Sequence, residues 1–412
     1  MSAADRGPYA GRAVVAATVL NLPLGSLYAF SVFLKPLEAL LGVSRGDLAL
    51  VFSLAALGFG AGTNLLPRVY GIASTGHLVL ACTVASAVGI AVAATASGLV
   101  QLALGYGVLF GIGGGAAYVL AQQAVNLAVT RRRGLVNGYL VALYPAGAMI
   151  AAPIFGWSIR EFGVRATLGG LATTLAVTGS LAAWLIAQSR VTLAAAATEA
   201  PAAGERRRPV FWRLWIVFFL AASAGLMVLS QAAGIISAYG GATGLAVYGT
   251  TFIAGSIAAA RVGGGWMVDW LTIPSVAASA HAVALIGNVA LTLWPGAATS
   301  VPALTLVGLG YGVISGLTAA AIAVYWRHAL YGRVAGEIYL AWCAAAIILP
   351  NAAGRLFDLT QGYGVAIIIA ACGNALGILV ALGLPSQGAA RAEPPSTAGA
   401  AIAPDRILGR KQ

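Results

Sequence analysis

Charge is the scarcest property of this 412-residue sequence: 8% of its residues are charged and 60% are hydrophobic. Ordinary soluble domains carry about 25% charged residues, so this composition excludes a soluble globular protein. The chain has 11 acidic residues against 23 basic ones, which gives a net charge of +12. The mean hydropathy of +0.91 indicates a chain that crosses a lipid bilayer many times.

Residues suited to metal or redox chemistry are also scarce. The chain has three cysteines and three histidines, and their spacing matches neither a disulfide framework nor a zinc motif. The glycine-rich stretch GIGGGAAY, residues 111–118, lacks the lysine and the preceding strand of a phosphate-binding loop. We therefore expect no cofactor, no metal and no enzymatic activity.

Apolar runs dominate what remains. A membrane-spanning helix needs about 20 mostly apolar residues, and twelve such runs are present, which predicts an all-α membrane protein with twelve transmembrane helices. The predicted spans are residues 13–35, 47–67, 73–96, 99–126, 135–157, 166–188, 212–236, 245–267, 274–295, 301–325, 336–354 and 364–384.

Basic residues outside the spans are distributed unevenly between the two sides of this predicted bundle. If both termini are cytoplasmic, the other side receives only Lys35, Arg45, Arg160, Arg165 and Arg355. Because basic residues in short loops are retained in the cytoplasm, we expect a multi-pass protein of the cell (inner) membrane with both termini inside. Contact with anionic lipid then accounts for the net charge, without a nucleic acid partner.

Weak internal symmetry divides the chain. The glycine ladder in the fourth span, Gly107, Gly111 and Gly115, recurs 201 positions later in the tenth span as Gly308, Gly312 and Gly316. Such ladders let helix backbones approach closely in lipid, and symmetry of this kind is typical of transporters built from two halves. We expect six-helix halves at residues 1–188 and 212–384, joined by a cytoplasmic linker at 189–211 and followed by a disordered tail at 385–412.

Several motifs carry a family resemblance. GWMVD, residues 265–269, resembles the signature loop of the major facilitator superfamily. Residues 27–54, LYAFSVFLKPLEALLGVSRGDLALVFSL, and 126–139, NLAVTRRRGLVNGY, resemble the oxalate/formate antiporter family and the related monocarboxylate transporters. The resemblance implies a major facilitator fold and a monomeric carrier of small organic anions.

Arg261 is the one basic residue deep inside a predicted span, the eighth. Ionisable residues inside the membrane usually face a cavity and mark a substrate path, and the arginine fork matches a carboxylate in a bidentate way. The resemblance implies that Arg261 binds the substrate carboxylate. Two alternatives remain open: Arg261 extends to the cytoplasmic surface, or it pairs with Asp269, to which we assign a gating role.

The resemblance also implies further binding residues. Tyrosines in the fourth and tenth spans of related carriers bind the anion, which corresponds to Tyr118 and Tyr311, and Tyr28 and Gln231 occupy positions where relatives place polar or aromatic cavity residues. Packing within the bundle is the alternative for each of them. Trp342 stands where the oxalate carriers have a second cation, a lysine.

A single cation neutralises a single carboxylate, so the sequence favours a monocarboxylate such as lactate, pyruvate, acetate or formate. All eleven acidic residues fall at span ends, loops or tails, which leaves no carboxylate relay; we expect a proton to travel with the substrate. The alternatives are an anion exchanger of the oxalate/formate type and a facilitator-fold carrier for another organic anion. His281, in the ninth span, is expected to pack in a helix that faces lipid.

Overall fold

A computed structural model gives the structure of residues 7–129, 133–189, 191, 193, 208–326 and 331–386. Within these ranges all regular structure is helical. In chain order the α-helices are α1 (Gly7–Leu24), α2 (Leu34–Leu41), α3 (Arg45–Leu65), α4 (Thr75–Ala94), α5 (Leu99–Leu102), α6 (Gly111–Ala128), α7 (Arg133–Gln188), α8 (Arg208–Ala238), α9 (Thr243–Trp270), α10 (Ile273–Leu293), α11 (Ala297–Tyr325), α12 (Tyr331–Thr360) and α13 (Gly364–Leu382).

Helix α7 contains two of the predicted spans. Its 56 residues would extend about 84 Å at 1.5 Å per residue, which is far more than the roughly 30 Å of hydrocarbon in a bilayer. Gly163 interrupts it with φ 81° and ψ 171°, a left-handed conformation that a residue with a Cβ rarely adopts. The chain reverses there, so the eleven long apolar helices of the described residues carry twelve spans, and the predicted fold class is confirmed.

The first and fourth spans contain irregular helix. A 3₁₀ segment, Gly25–Phe33, joins α1 to α2, and a π segment, Ala103–Phe110, joins α5 to α6. Residues three apart are eclipsed in a 3₁₀-helix. Tyr28 and Ser31 therefore lie on the same face of the first span, one above the other.

The two halves meet along matching helices. In the first half α1 and α4 pack on α7, and α3 packs on α6; in the second, α9 and α10 pack on α11, and α8 packs on α12. Across the interface α7 contacts α9, and α3 contacts α12. This arrangement places the space between the halves beside the fifth, eighth, second and eleventh spans.

The two glycine ladders have the same packing role. A Cβ added at Gly115 would meet the backbone of Phe59 in α3, and one added at Gly316 would meet the backbone oxygen of Arg261 in α9. Each ladder thus lets one helix of its half press directly against the neighbour that faces the interface. The prediction that these glycines are packing residues is confirmed.

Some predictions concern residues outside the described ranges. Most of the linker, including 194–207, and the tail from 387 onwards are among them. Both remain sequence-based predictions.

Candidate functional site

Arg261 is buried between the two halves, with 5% of its surface exposed. The close approach of α9 to Gly316 fixes its backbone against α11. From there the side chain reaches Tyr311, at the midpoint of α11, and also Tyr28 and Val141, which belong to the first half. The guanidinium is therefore deep in the bundle and does not extend to the membrane surface.

The hydrogen-bond partners of Arg261 are neutral. Nη1 donates to the backbone oxygen of Val141 at 3.0 Å, and Nη2 donates to the hydroxyl oxygens of Tyr311 at 3.0 Å and Tyr28 at 3.4 Å. The guanidinium carbon lies 5.3 Å and 5.5 Å from the ring centroids of these two tyrosines, within cation–π range. Partners from both halves thus hold the cation without cancelling its charge.

Tyr311 is positioned by two donors. Its oxygen accepts a hydrogen bond from Arg261 and another from Nε1 of Trp342 at 2.9 Å. Because both donors point at the oxygen, the phenolic O–H is itself a donor; the Tyr28 hydroxyl is its neighbour, and an anion beside the guanidinium would compete with Tyr28 for it. The structure therefore brings together Arg261, Tyr28, Tyr311 and Trp342, which the sequence singled out.

The charge of Arg261 has no acidic partner among the described residues, where the one ion pair joins Arg45 to Glu38. Its Nε also lacks a hydrogen-bond partner in the described structure. A guanidinium stays protonated in proteins, and an isolated buried charge is costly unless it is paired. A bound anion would provide the pairing that this buried charge lacks.

Aromatic rings form one wall beside this cation. Tyr118 and Tyr144 have ring centroids 5.3 Å apart, and Phe59 lies 5.3 Å, 5.4 Å and 5.6 Å from Tyr118, Tyr144 and Trp342. Tyr28 is 5.9 Å from Tyr144. Tyr118 contributes to this wall through its contacts with Phe59 and Tyr144.

Two members of the wall, Phe59 and Tyr144, were missed by the sequence reasoning. An aromatic residue in an apolar span carries no charge or spacing that separates a wall residue from a packing residue. One signal was available for Phe59: it is the first residue of the glycine-rich segment FGAG, residues 59–62, where α3 approaches its neighbours closely. Tyr144 offers only its place before Pro145.

A second buried arginine, Arg45, lies at the start of α3 and is fully bonded. It donates from Nε and Nη2 to the two oxygens of Glu38 at 2.5 Å and 2.8 Å, and from Nη1 to Tyr363 at 2.8 Å. Tyr363 in turn donates to Gln231 Oε1 at 2.9 Å. Asp358 accepts from the backbone N–H groups of Arg45 and Gly46 at 3.1 Å and 2.8 Å.

We call Glu38, Arg45, Gln231, Asp358 and Tyr363 the Arg45 cluster. It joins the first half to the second on the membrane side opposite the start of α1, because Gln231, Asp358 and Tyr363 belong to the second half. Burial raises the pKa of Tyr363 to about 12, so this residue remains a neutral phenol that can bridge the halves.

The remaining predicted residues lie elsewhere. Gln231 was expected at the substrate site, and the structure places it in the Arg45 cluster instead, because its position near the end of α8 is level with Tyr363. The side chain of Asp269 is outside the described structure, so its gating role stays a prediction. His281, which was expected to pack, is buried within the second half and lies 2.9 Å from Asn374 Oδ1 and 3.2 Å from the backbone oxygen of Val217.

Comparison with known proteins assigns the family. A model of the Major Facilitator Superfamily matches residues 16–350, which is most of the chain. The protein belongs to the major facilitator superfamily. The resemblance to this superfamily inferred from the sequence is confirmed, and the protein is a multi-pass membrane transporter. The finer resemblance to oxalate/formate and monocarboxylate carriers stays a prediction.

Individual relatives of this facilitator are distant. An uncharacterised MFS-type transporter of Escherichia coli (strain K12), YhjX, is 24% identical over 227 residues, which cover 54% of this chain and 56% of that protein. This chain thus aligns with about half the length of that relative.

Solved structures give the same fold at low identity. A D-xylose–proton symporter has a TM-score of 0.70 at 14% identity, covering 92% of this chain and 98% of that one. A bacterial homologue of the human lysosomal transporter Spinster, in an inward-facing and occupied conformation, has a TM-score of 0.65 at 13% identity, covering 91% and 94%. At these identities the likeness concerns the fold and not the substrate.

Proposed function

We propose that this facilitator is a secondary active transporter of small monocarboxylates of the lactate, pyruvate, acetate or formate type. The observation that carries the proposal is the buried guanidinium of Arg261, which has only neutral partners in the described structure and sits between the halves. A carboxylate that accepts from Arg261 and from Tyr311 would form charge-assisted hydrogen bonds, which are about twice as strong as neutral ones.

The number of charges favours a monoanion. One guanidinium balances one carboxylate, and the second carboxylate of a dianion would lie against Phe59, Tyr144 and Trp342, which carry no charge. Burying that unpaired charge costs several kcal/mol. The same aromatic wall suits the one- to three-carbon body of a short acid.

Arg261 gives a physical basis for alternating access. It belongs to the second half but binds Val141 and Tyr28 of the first, so it connects the halves in this conformation. A bound carboxylate competes for those donors and neutralises the charge, and the halves can then rock about the site. The Arg45 cluster must break for its own side of the transporter to open.

Proton coupling in this proposal uses the substrate. No acidic side chain of the described structure is bonded to Arg261 or Tyr311, so the proton enters and leaves with the acid. The transporter functions as a monomer in the inner membrane with both termini in the cytoplasm, in keeping with its arginine distribution.

The test is uptake of radiolabelled lactate into proteoliposomes, with a panel of mono- and dicarboxylates as competitors and with or without a pH gradient. We expect acetate, pyruvate and formate to compete, oxalate and malonate to compete poorly, and an acidic exterior to accelerate uptake. Stronger competition by oxalate, with uptake driven by internal formate, would replace this proposal with anion exchange. Failure of every carboxylate to compete would refute it.

A further inference from the structure

A cavity of about 300 Å³ opens between the halves on the same side of the membrane as the Arg45 cluster. Its lining comes from the first span, from α7, and from the facing parts of α8 and α9. The polar lining residues include Ser31, Lys35, Arg160 and Ser237. The cavity is separate from the Arg261 site, to which none of these four residues is bonded in the described structure.

The charge lining this cavity is positive. Lys35 and Arg160 are exposed there, and no aspartate or glutamate of the described residues belongs to the lining. The nearest acid along the chain from Lys35, Glu38, is committed to Arg45. Neither Lys35 nor Arg160 forms an ion pair within the described structure, although Glu161 follows Arg160 in the chain, and two cations in a cleft with low-dielectric walls focus a positive potential that attracts anions.

A buried hydroxyl points to a ligand in the same place. Ser31 belongs to the lining, and its hydroxyl is buried behind the cavity surface without a hydrogen-bond partner in the described structure. Buried polar groups in native proteins nearly always have one, so each exception requires an explanation. An anion drawn in by Lys35 and Arg160 would supply that partner when the Ser31 side chain turns towards the cavity.

The cavity lies next to both arginine sites. Gly234 lines it, and a Cβ added there would lie 2.7 Å from the Tyr363 hydroxyl and 2.8 Å from Arg45 Nη1. Ser31 is one 3₁₀ turn from Tyr28, which binds Arg261. The cavity therefore adjoins the Arg45 cluster on one wall, and its lining residue Ser31 is one turn along the first span from the Arg261 site.

We propose that this cavity is an anion-binding vestibule, in which Lys35 and Arg160 attract the substrate carboxylate and Ser31 donates to it before the halves open towards Arg261. The inference rests on the proposed function for the identity of the anion. The vestibule itself rests on the charges and the hydroxyl of the lining, and it can be tested separately.

The first test measures transport. We expect Lys35→Gln combined with Arg160→Gln to raise KM for lactate about 10-fold at low ionic strength, with kcat unchanged and with the difference shrinking at high salt. Arg165→Gln is the matched control, since Arg165 is on the same side but does not line the cavity. An unchanged KM in the double variant, or an equal rise in the control, would overturn the vestibule.

The second test measures binding without transport. Ser237→Cys is made in a background without the native cysteines, in phosphatidylcholine nanodiscs, and its rate of modification by a methanethiosulfonate reagent is measured with and without lactate at constant ionic strength. We expect lactate to slow the reaction, also when Arg261→Ala is present, and to have no effect when Lys35 and Arg160 are glutamines. Equal protection with and without the two cations, or no protection at all, would overturn the inference.

The Arg261→Ala arm distinguishes the two proposals. If Arg261→Ala transports lactate but the labelling result holds, the proposed function fails and the vestibule survives. If Arg261→Ala abolishes transport and lactate gives no protection, the proposed function survives and the vestibule fails.

Discussion

Two buried arginines at the interface between the halves differ in one respect. Arg45 is 4% exposed and its charge is neutralised by Glu38, with Tyr363 and the ring of Phe357, 4.2 Å from the guanidinium carbon, completing its surroundings. Arg261 is 5% exposed and has only phenols and a backbone carbonyl as partners. The two side chains are thus similarly buried, but the charge of Arg45 is paired with an acid and the charge of Arg261 is not.

The difference indicates what each arginine does. A buried cation that is already paired stabilises the arrangement that pairs it, so Arg45 holds one side of the transporter closed. A buried cation held by neutral groups alone raises the energy of the protein until an anion arrives. In the proposed function, the free-energy cost of burying Arg261 therefore contributes to the affinity for a carboxylate.

The largest expected effect comes from removing the unpaired charge. Arg261→Ala should abolish carboxylate uptake while the protein remains folded in the membrane, because no other described cation reaches the site. Arg261→Lys should also lose most activity, since an ammonium cannot reproduce the planar fork that binds Tyr28, Tyr311 and Val141 together. Uptake into proteoliposomes, with folding checked by gel filtration, measures both; full lactate uptake by the alanine variant would contradict the comparison.

A second cation should change the preferred charge of the substrate. Trp342 donates to Tyr311 beside Arg261, so Trp342→Lys places an ammonium at the edge of the same site. We expect the ratio of oxalate to lactate transport to rise by at least about 10-fold, since a buried, unpaired carboxylate costs more than about 1.4 kcal/mol. Trp342→Gln, which removes the indole without adding charge, is the control. A similar change of the ratio in both variants would mean that the space left by the indole, and not the added charge, determines the selectivity.

Loss of one phenolic donor should have a moderate effect. A hydrogen bond to a charged group contributes about 1.5–3 kcal/mol, so Tyr311→Phe should raise KM for lactate about 10-fold or more. Tyr106→Phe is the matched control, because the hydroxyl of Tyr106 is equally buried but has no partner in the described structure. The KM is measured from the kinetics of lactate uptake. An equal KM for the Tyr311 and Tyr106 variants would show that Tyr311 only packs.

The smallest expected effect comes from the paired arginine. Glu38→Gln leaves Arg45 without its counter-charge, so the closed side should open more often, by a few-fold; Glu38 is 24% exposed and water compensates in part. Cysteine accessibility of Ser53→Cys, a buried position where α3 bonds to α12 across the interface, reports this opening. Glu161→Gln, an exposed residue outside the cluster, should leave it unchanged. A loss of substrate binding in Glu38→Gln without any change in accessibility would contradict the role of Glu38 in keeping this side closed.

Much of the fold is predictable from the sequence, because the length and polarity of each span can be read from its own residues. The twelve spans and the two glycine ladders are local patterns, and the structure has both. Arg261 and Tyr311 were also visible, the first because a charge in an apolar run stands out, the second through the family resemblance.

Properties that depend on several distant segments were not predictable in this way. From the sequence, Arg45 is one of the basic residues outside the spans. The neighbouring residues give no sign that Tyr363 and Asp358, more than 300 positions away, bind it. The bond of Gln231 to Tyr363, 132 positions away, was not predictable for the same reason. Phe59 and Tyr144 became wall residues only through the packing of α3 and α7 on their neighbours.

The most direct test of the central claim is the melting temperature of purified protein with and without lactate, for the wild type, Arg261→Met and Arg45→Met. Methionine keeps much of the side-chain volume and removes the charge. We expect Arg261→Met to melt at or above the wild-type temperature without ligand and to show no shift with lactate, whereas Arg45→Met should melt lower and still be stabilised by lactate. A strongly destabilised Arg261→Met, or one that lactate stabilises as much as it does the wild type, would contradict the assignment of Arg261 as the unpaired substrate cation.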